Sequence, residues 1–381
     1  LTRLIEIPEN YFLDDVEIIG WMYQFYISSK KDEVNKAKKT ITKDTLPAVT
    51  QLFTPEWIVR YMAENSIGRI WLESYPNSAL RSDMKYYVDD VEQTVEAQRK
   101  IDEIKYHDVN PEEICVFEPC CGSGHILVYV FDLFYKMYEE KGYQKRDIPT
   151  LILTKNLVGL DIDKRAAQLA SFSLVMKARS INPQFFNSDY YVKPRVYEIL
   201  DSRYLISINY KKHLTELQLL SGEEIKEITN IVDTFCHAKV IGSLLKLRNT
   251  NIEYLGEAIQ KIESNAIDNI FNIDFVIKGV KLLKKLCEQA TVLSGKYDVM
   301  ITNPPYIGTS SMEAAVKEYA AKYYPNSKSD MFAMFMETEF VNENGFLAMI
   351  NMHSWMFLSS YERLRKTILV SKEIVTMAHL G

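Results

Sequence analysis

The chain has 381 residues, 47% hydrophobic and 25% charged, with a formal net charge of -6. That apolar content supplies a sizeable core and excludes global disorder, and the length suits one doubly wound domain with insertions. The acidic balance argues against a self-sufficient duplex-DNA binder, which carries a basic face, but leaves room for a local basic cleft or a DNA-reading domain outside these residues.

The five cysteines, Cys115, Cys120, Cys121, Cys236 and Cys287, are odd in number and form no C-x-x-C pair. A zinc cluster and a disulfide framework are therefore not expected, and a reducing cytoplasm fits best. No signal-peptide pattern opens the chain, and no apolar run is long enough to cross a bilayer. The longest, Phe346 to Leu358, is broken by Asn351, His353 and Ser354 and reads as a buried strand and its exit. With Leu1 first and a strand-like IVTMAHLG last, the chain reads as a piece of a longer protein.

In chain order, residues 1–45 read as helical, and the lysine-rich run Lys30 to Lys43 as a solvated helix face rather than a DNA contact. In LFTPEWIVRYMAENSIG, Thr54 is placed to cap a helix with Pro55 at its first position. Ile58, Tyr61, Met62 and Ile67 recur there at helical spacing. The polar, tyrosine-bearing stretch from Glu73 to Asn110 reads as a linker or insertion, so residues 1–110 form an N-terminal helical region and linker. From residue 111 to 381 strand and helix patterns alternate. Strands are expected in ICVFEP, NLVGLD, RVYEILD, YDVMIT and GFLAMIN, which predicts an α/β, Rossmann-like parallel sheet with helices on both faces. Between Asp201 and Tyr297 the strand pattern lapses into helix-type spacing, a helical insertion over about 202–295.

Three strand tips carry chemistry, because open α/β sheets bind ligands at the carboxyl ends of their strands. In FEPCCGSG (Phe117 to Gly124), Gly122 and Gly124 permit a tight turn and close backbone approach, next to a helix N-terminus that favours an anionic group. Glu118 would repel a pyrophosphate but could accept from an ammonium, so this loop suits a zwitterionic amino acid. In VGLDID, Asp161 is placed to accept from vicinal ribose hydroxyls, and Asp163 to cap the next helix. Together the two loops suggest a nucleoside joined to an amino acid, which describes S-adenosylmethionine. In ITNPPYIG, Pro304 and Pro305 remove backbone donors, leaving the Asn303 oxygen and nearby carbonyls to hold a planar amino group. Tyr306 offers a flat face for stacking, and a base in duplex DNA would have to be flipped out to reach it.

LFTP, FEPCCGSG, VGLDID and NPPY, in this order, resemble the amino-methyltransferases of the gamma arrangement, which include type I and type IIG restriction-modification methylases. Longer phrases such as QLFTPEWIVRYMAENSIGRIW and PCCGSGHILVYVFDLFYKMYEE resemble the adenine-specific DNA methyltransferases of phage-exclusion (BREX) systems. The resemblance covers most of residues 10–381. It implies a class I S-adenosylmethionine-dependent fold and transfer of a methyl group to the N6 amino group of adenine in double-stranded DNA, with other defence proteins as possible partners. It further implies that Thr54, Glu118, Pro119, Gly122 and Gly124 surround the methionine part of the cofactor, that Asp161 holds its ribose, and that Asp201 falls where its adenine is often contacted. Asn303, Pro304, Pro305 and Tyr306 would bind and activate the target base, and KSDMFAMFMETEF would help line the cofactor pocket. No nucleophilic role falls to Cys120 or Cys121, and no metal is implied.

The separate target-recognition domain of such methylases is absent from these residues, so cofactor binding with weak or no sequence-specific methylation is expected of them alone. Two other functions compete. One is methylation of a release-factor glutamine amide or a ribosomal-RNA guanine amino group, where Asn-Pro-Pro-Tyr also occurs, generally without LFTP or a long insertion. The other is a cofactor-binding interaction module within a defence complex.

Overall fold

The computed structural model describes residues 54–187, 189–247, 250–265 and 275–380. The expected helical segment 1–45, with its lysine run, lies outside the described residues. Five short apolar segments form one sheet: β1 (Val116–Glu118), β2 (Leu157–Asp161), β3 (Val196–Glu198), β4 (Tyr297–Thr302) and β5 (Val341–Met349). All neighbours are parallel and the spatial order is β3-β2-β1-β4-β5. The order reverses between β1 and β4, and the crevice beyond the strand ends at such a switch point is where open sheets bind ligands.

Alternation along the strands sends side chains to two faces. Val116, Val299 and Ile301 join a core with α1 (Glu56–Glu64), α2 (Ile67–Ser74), α3 (His125–Glu140) and α4 (Lys164–Ile181). Phe117, Val158, Leu160 and Met300 join a second core with α5 (Gly222–Thr234), α6 (Ile252–Asn265) and α7 (Lys281–Ser294). The helices of the insertion therefore build the second layer of the sandwich: Leu283, Leu286 and Ala290 of α7 are completely buried in the same cluster as Phe117.

Two further differences from the sequence pattern concern strands. β5 is partly or fully exposed along its whole length rather than buried, and among the described residues it is an edge strand with a neighbour on one side alone. The strand-like terminal pattern carries no regular structure over Ile374 to Leu380.

The tyrosine-bearing stretch before β1 is fastened rather than slack. Buried Glu64 accepts the Tyr86 amide at 2.5 Å, and Asn65 accepts the Val88 amide at 2.9 Å while donating to the Tyr86 carbonyl at 2.8 Å. Arg69, 4% exposed, donates to the Val88 carbonyl at 2.7 Å and to Asp90 at 2.5 Å, with its guanidinium 5.0 Å from the Tyr87 ring centre. Its removal leaves the Val88 carbonyl without its side-chain donor and Asp90 with Lys105, at 3.7 Å, as its remaining cation, a loss of about 1–3 kcal/mol. Arg69→Ala is thus expected to lower the melting temperature by a few degrees and to open a protease site within residues 84–94. Unchanged melting and cleavage would show that Glu64 and Asn65 suffice.

Candidate active site

The Gly loop leaves β1 and turns through Gly122 (φ 53°) and Gly124 (φ 86°) into α3. Both lie in the left-handed region that glycine tolerates. At Gly124 a Cβ would also meet Ala170 of α4 at 2.8 Å, so the glycine lets two helices approach; at Gly122 a Cβ would meet nothing within 4 Å. The loop is pinned to the neighbouring strand end. The Cys121 amide donates to the Leu160 carbonyl at 2.9 Å, and the Gly122 amide to Asp161 Oδ2 at 2.8 Å.

Asp161 therefore has a structural duty besides any ligand, since its Oδ1 also accepts the Asp163 amide at 2.7 Å. Burial pushes its carboxyl up to about 6, against the pull of those two amides. Glu118, 2% exposed, is pushed well above the usual carboxylate range by burial and by the Asp161 charge. Its Oε2 is buried with no hydrogen-bond partner. Two crowded carboxylates, one with an orphaned oxygen, make a site that a cationic group would complete. Asp163 caps α4 through the Arg165 amide at 2.7 Å, as its position in the sequence predicts.

Asn303 follows β4 on the other side of the switch point. Its Nδ2 donates to Thr54 Oγ1 at 3.0 Å, and its Oδ1 lies 2.9 Å from the Tyr306 hydroxyl. That hydroxyl also reaches the Ile350 carbonyl at 2.8 Å. One proton serves both acceptors, so donation to Ile350 leaves Oδ1 with accepting capacity. Thr54 thus does not cap α1: Pro55 occupies the cap position, no side-chain cap is made, and the hydroxyl is engaged by Asn303 instead. Pro304 is buried, while Asn303, Pro305 and Tyr306 are partly exposed.

The loop beyond is held by a residue that the sequence pattern did not single out. Asp330 Oδ1 accepts the Ile307 amide at 2.9 Å and the Phe332 amide at 3.3 Å, capping α9 (Met331–Met336), which follows α8 (Ala314–Tyr323). Phe332 then stands 6.0 Å from the Tyr306 ring centre, so the KSDMFAMF helix backs the Asn-Pro-Pro-Tyr turn. Asp201, by contrast, has its carboxylate bound to the Arg203 guanidinium and to the Arg203 amide within its own turn. Pro119 offers its carbonyl to Ser243 Oγ of the insertion. Burial pushes the Cys120 and Cys121 thiols well above their usual range, which opposes thiolate formation.

Residues 155–381 match the Eco57I restriction-modification methylase family. The chain belongs to that family. Its parallel sheet with flanking helices is the class I methyltransferase fold. Over 99% of its length it is 40% identical to the adenine-specific methyltransferase BrxX of Escherichia coli O9:H4 (strain HS). Over 96% it is 36% identical to the adenine-specific methyltransferase PglX of Lacticaseibacillus casei (strain Zhang). The chain spans 32% and 30% of the lengths of these two relatives. Both likenesses include Thr54 and the Gly loop, which precede the family match.

A pH signature follows from Asp330, whose carboxyl burial pushes up to about 6. A folded value above the ordinary one means that the folded chain binds this proton more tightly. The contribution to stability is then full at low pH and lost as pH rises through about 6. Asn at 330 keeps the accepting oxygen without titrating. Wild type should therefore lose stability relative to Asp330→Asn as pH rises from about 4 to about 6, by on the order of 1–2 kcal/mol in melting experiments. Superimposable profiles would remove the carboxylate from the account.

Proposed function

We propose that this chain binds S-adenosylmethionine beside Glu118 and Asp161 and methylates the N6 amino group of adenine in DNA, presented at Asn303 and Tyr306. The observation that carries the proposal is the orientation of Asn303. Its amide nitrogen donates to Thr54, which leaves its oxygen, 2.9 Å from the Tyr306 hydroxyl, as the group that would accept from a planar amino group.

The strand tips fit the cofactor. Glu118's unpartnered buried oxygen suits an ammonium, the open space at Gly122 admits a ligand against the backbone, and Asp161 suits vicinal hydroxyls. When bound, S-adenosylmethionine supplies an electrophilic methyl group. The chain's own residues then have to place and polarise the amino nitrogen. Asn303 Oδ1 and the Pro304 carbonyl would accept hydrogen bonds from its two N–H groups, raise its electron density, and stabilise the positive charge it gains with the methyl group until one of the two protons is lost to solvent. Tyr306, backed by Phe332, would stack on the base. Reaching this recess requires a base outside the duplex stack.

Adenine in DNA is favoured over the other amino substrates because both relatives are named adenine-specific methyltransferases and the family is a restriction-modification one. A role among phage-defence proteins rests on the same likeness. The decisive measurement is methyl transfer by the full-length protein to DNA, ribosomal RNA and release factor, with genomic adenine methylation compared in cells with and without the gene. Label in N6-methyladenine of DNA is expected, and label in RNA or protein alone would overturn the proposal.

Two substitutions dissect the site. Asn303→Ala is expected to lower kcat by about 10²–10³-fold or more, with cofactor affinity within about threefold of wild type. Thr54→Val, which keeps shape but removes the acceptor for Asn303, should lower kcat by roughly 5–30-fold. If Thr54→Val weakened cofactor binding and spared kcat, the hydroxyl would belong to the cofactor rather than to Asn303.

A further inference from the structure

The helical insertion does not merely thicken the second layer. Its segment from Ala238 to Lys246 runs over the carboxyl ends of β1 and β2 and touches the Gly loop, the acidic tip and α8. Ser243, completely enclosed at 2% exposure, donates to the Pro119 carbonyl in the Gly loop. Gly242 turns at φ 65°, where a Cβ would stand 3.3 Å from Ile162 of the acidic tip. The Leu244 carbonyl accepts from Tyr324 at 2.8 Å, and the Lys246 amide donates to the Tyr319 hydroxyl at 2.7 Å, which ties the segment to α8 and its end.

Lys239 occupies the most demanding position in this segment. Its Nζ donates to the Ile162 carbonyl at 2.8 Å and to Glu198 Oε1 at 2.7 Å. Its side chain is 23% exposed and that of Glu198 24%. Asp161 and Glu198 are register partners at the ends of β2 and β3, so two carboxylates leave adjacent strands side by side. Lys239 bridges those two strand tips.

Building on the cofactor site proposed above, we infer that Lys239 is a positioning residue of that site, holding the tips of β2 and β3 together and keeping the Asp161 carboxylate in the accepting form that ligand hydroxyls need. Asp161 faces an acidic surround. Glu118, Cys120 and Cys121 approach from the Gly loop, Asp163 from its own turn, and Glu198 from the next strand. Burial and Asp163 push the Asp161 proton affinity up, while the amides of Asp163 and Gly122 and the Lys239 charge push it down. Removing the lysine deletes a positive charge and also leaves Glu198 unneutralised beside Asp161. Both changes favour the protonated form, which donates where it should accept.

The test is binding of S-adenosylhomocysteine to the full-length protein, by calorimetry from pH 5.5 to 8.5. Wild-type affinity is expected to fall below about pH 6, where Asp161 protonates. In Lys239→Met that midpoint should move upward by ~0.5 unit or more, a further loss of about twofold at pH 6 that approaches threefold at about pH 5.5 and fades by about pH 8.5. Lys239→Arg should follow wild type. Glu198→Gln, which removes the neighbouring negative charge instead, should move the midpoint downward, so the inference stays testable if Lys239→Met does not fold. A loss in Lys239→Met equal at every pH, no loss at all, or an unmoved midpoint in Glu198→Gln would overturn the role of Lys239 and leave the cofactor site standing. Absence of binding by wild type would overturn the cofactor site and this inference with it.

Discussion

The hydrogen bond from Asn303 to Thr54 joins residues 249 positions apart and fixes the orientation of the Asn303 amide at the end of its strand. An amide presents a donor and an acceptor of nearly equal shape, and an amino group can be polarised by the acceptor alone. Much of the architecture serves to bring those two residues together. Val59, Met62 and Ala63 of α1 are buried against the α3 side of the sheet, which places Thr54 over the strand ends. β4 pairs in register with β1, Val116 with Val299, which places Asn303 one residue beyond its carboxyl end. Asp330 then accepts the Ile307 amide while capping α9 through the Phe332 amide, so the turn after Asn303 is tied to the start of α9.

The same strand-end geometry concentrates negative charge. Glu118, Asp161 and Glu198 close three adjacent strands of a parallel sheet, and parallel strands bring their ends into one layer. Burial pushes the proton affinities of Glu118 and Asp161 up, and the Asp161 charge adds to the rise at Glu118, which lowers the stability of the folded chain at neutral pH. Two features answer that crowding within the protein: backbone amides of the Gly loop and of Asp163 for Asp161, and Lys239 for Glu198. Glu118 keeps an oxygen without a partner. The residual imbalance has the sign and place expected of a site that binds a cationic ligand.

What the sequence made legible is what local pattern controls. The five strands follow from apolar runs bounded by turn residues, the left-handed glycines from Gly122 and Gly124, and the cap of α4 from Asp163. Contacts set by distant partners were not legible. Thr54 and Pro55 carry the signature of a helix start, yet the hydroxyl turns to Asn303 because its partner there lies outside any local window. The β5 segment is as apolar as a central strand, yet among the described residues it lies exposed at the edge of the sheet. Lys239 and Ser243 lie in a stretch whose spacing announces helix and nothing more, while their partners are Ile162 and Pro119, 77 and 124 residues away.

The position of the insertion in the chain explains why it became part of the site. Its helices lie between β3 and β4, and the connection between those strands must cross β2 and β1 before re-entering the sheet. A crossover of this kind has to lie on one face as a helix layer, which α7 provides through Leu283, Leu286 and Ala290. The connection begins at the carboxyl end of β3, where Gln289 of α7 clasps the Glu198 carbonyl and the Leu200 amide, each at 2.9 Å. Extra residues added to that connection therefore emerge beside the ligand-binding edge of the sheet rather than at its far end. The segment from Ala238 to Lys246 can meet the Gly loop, the acidic tip and α8 at once because all three open onto that edge. An insertion in the loop from α3 to β2 would open at the opposite edge and could not do so.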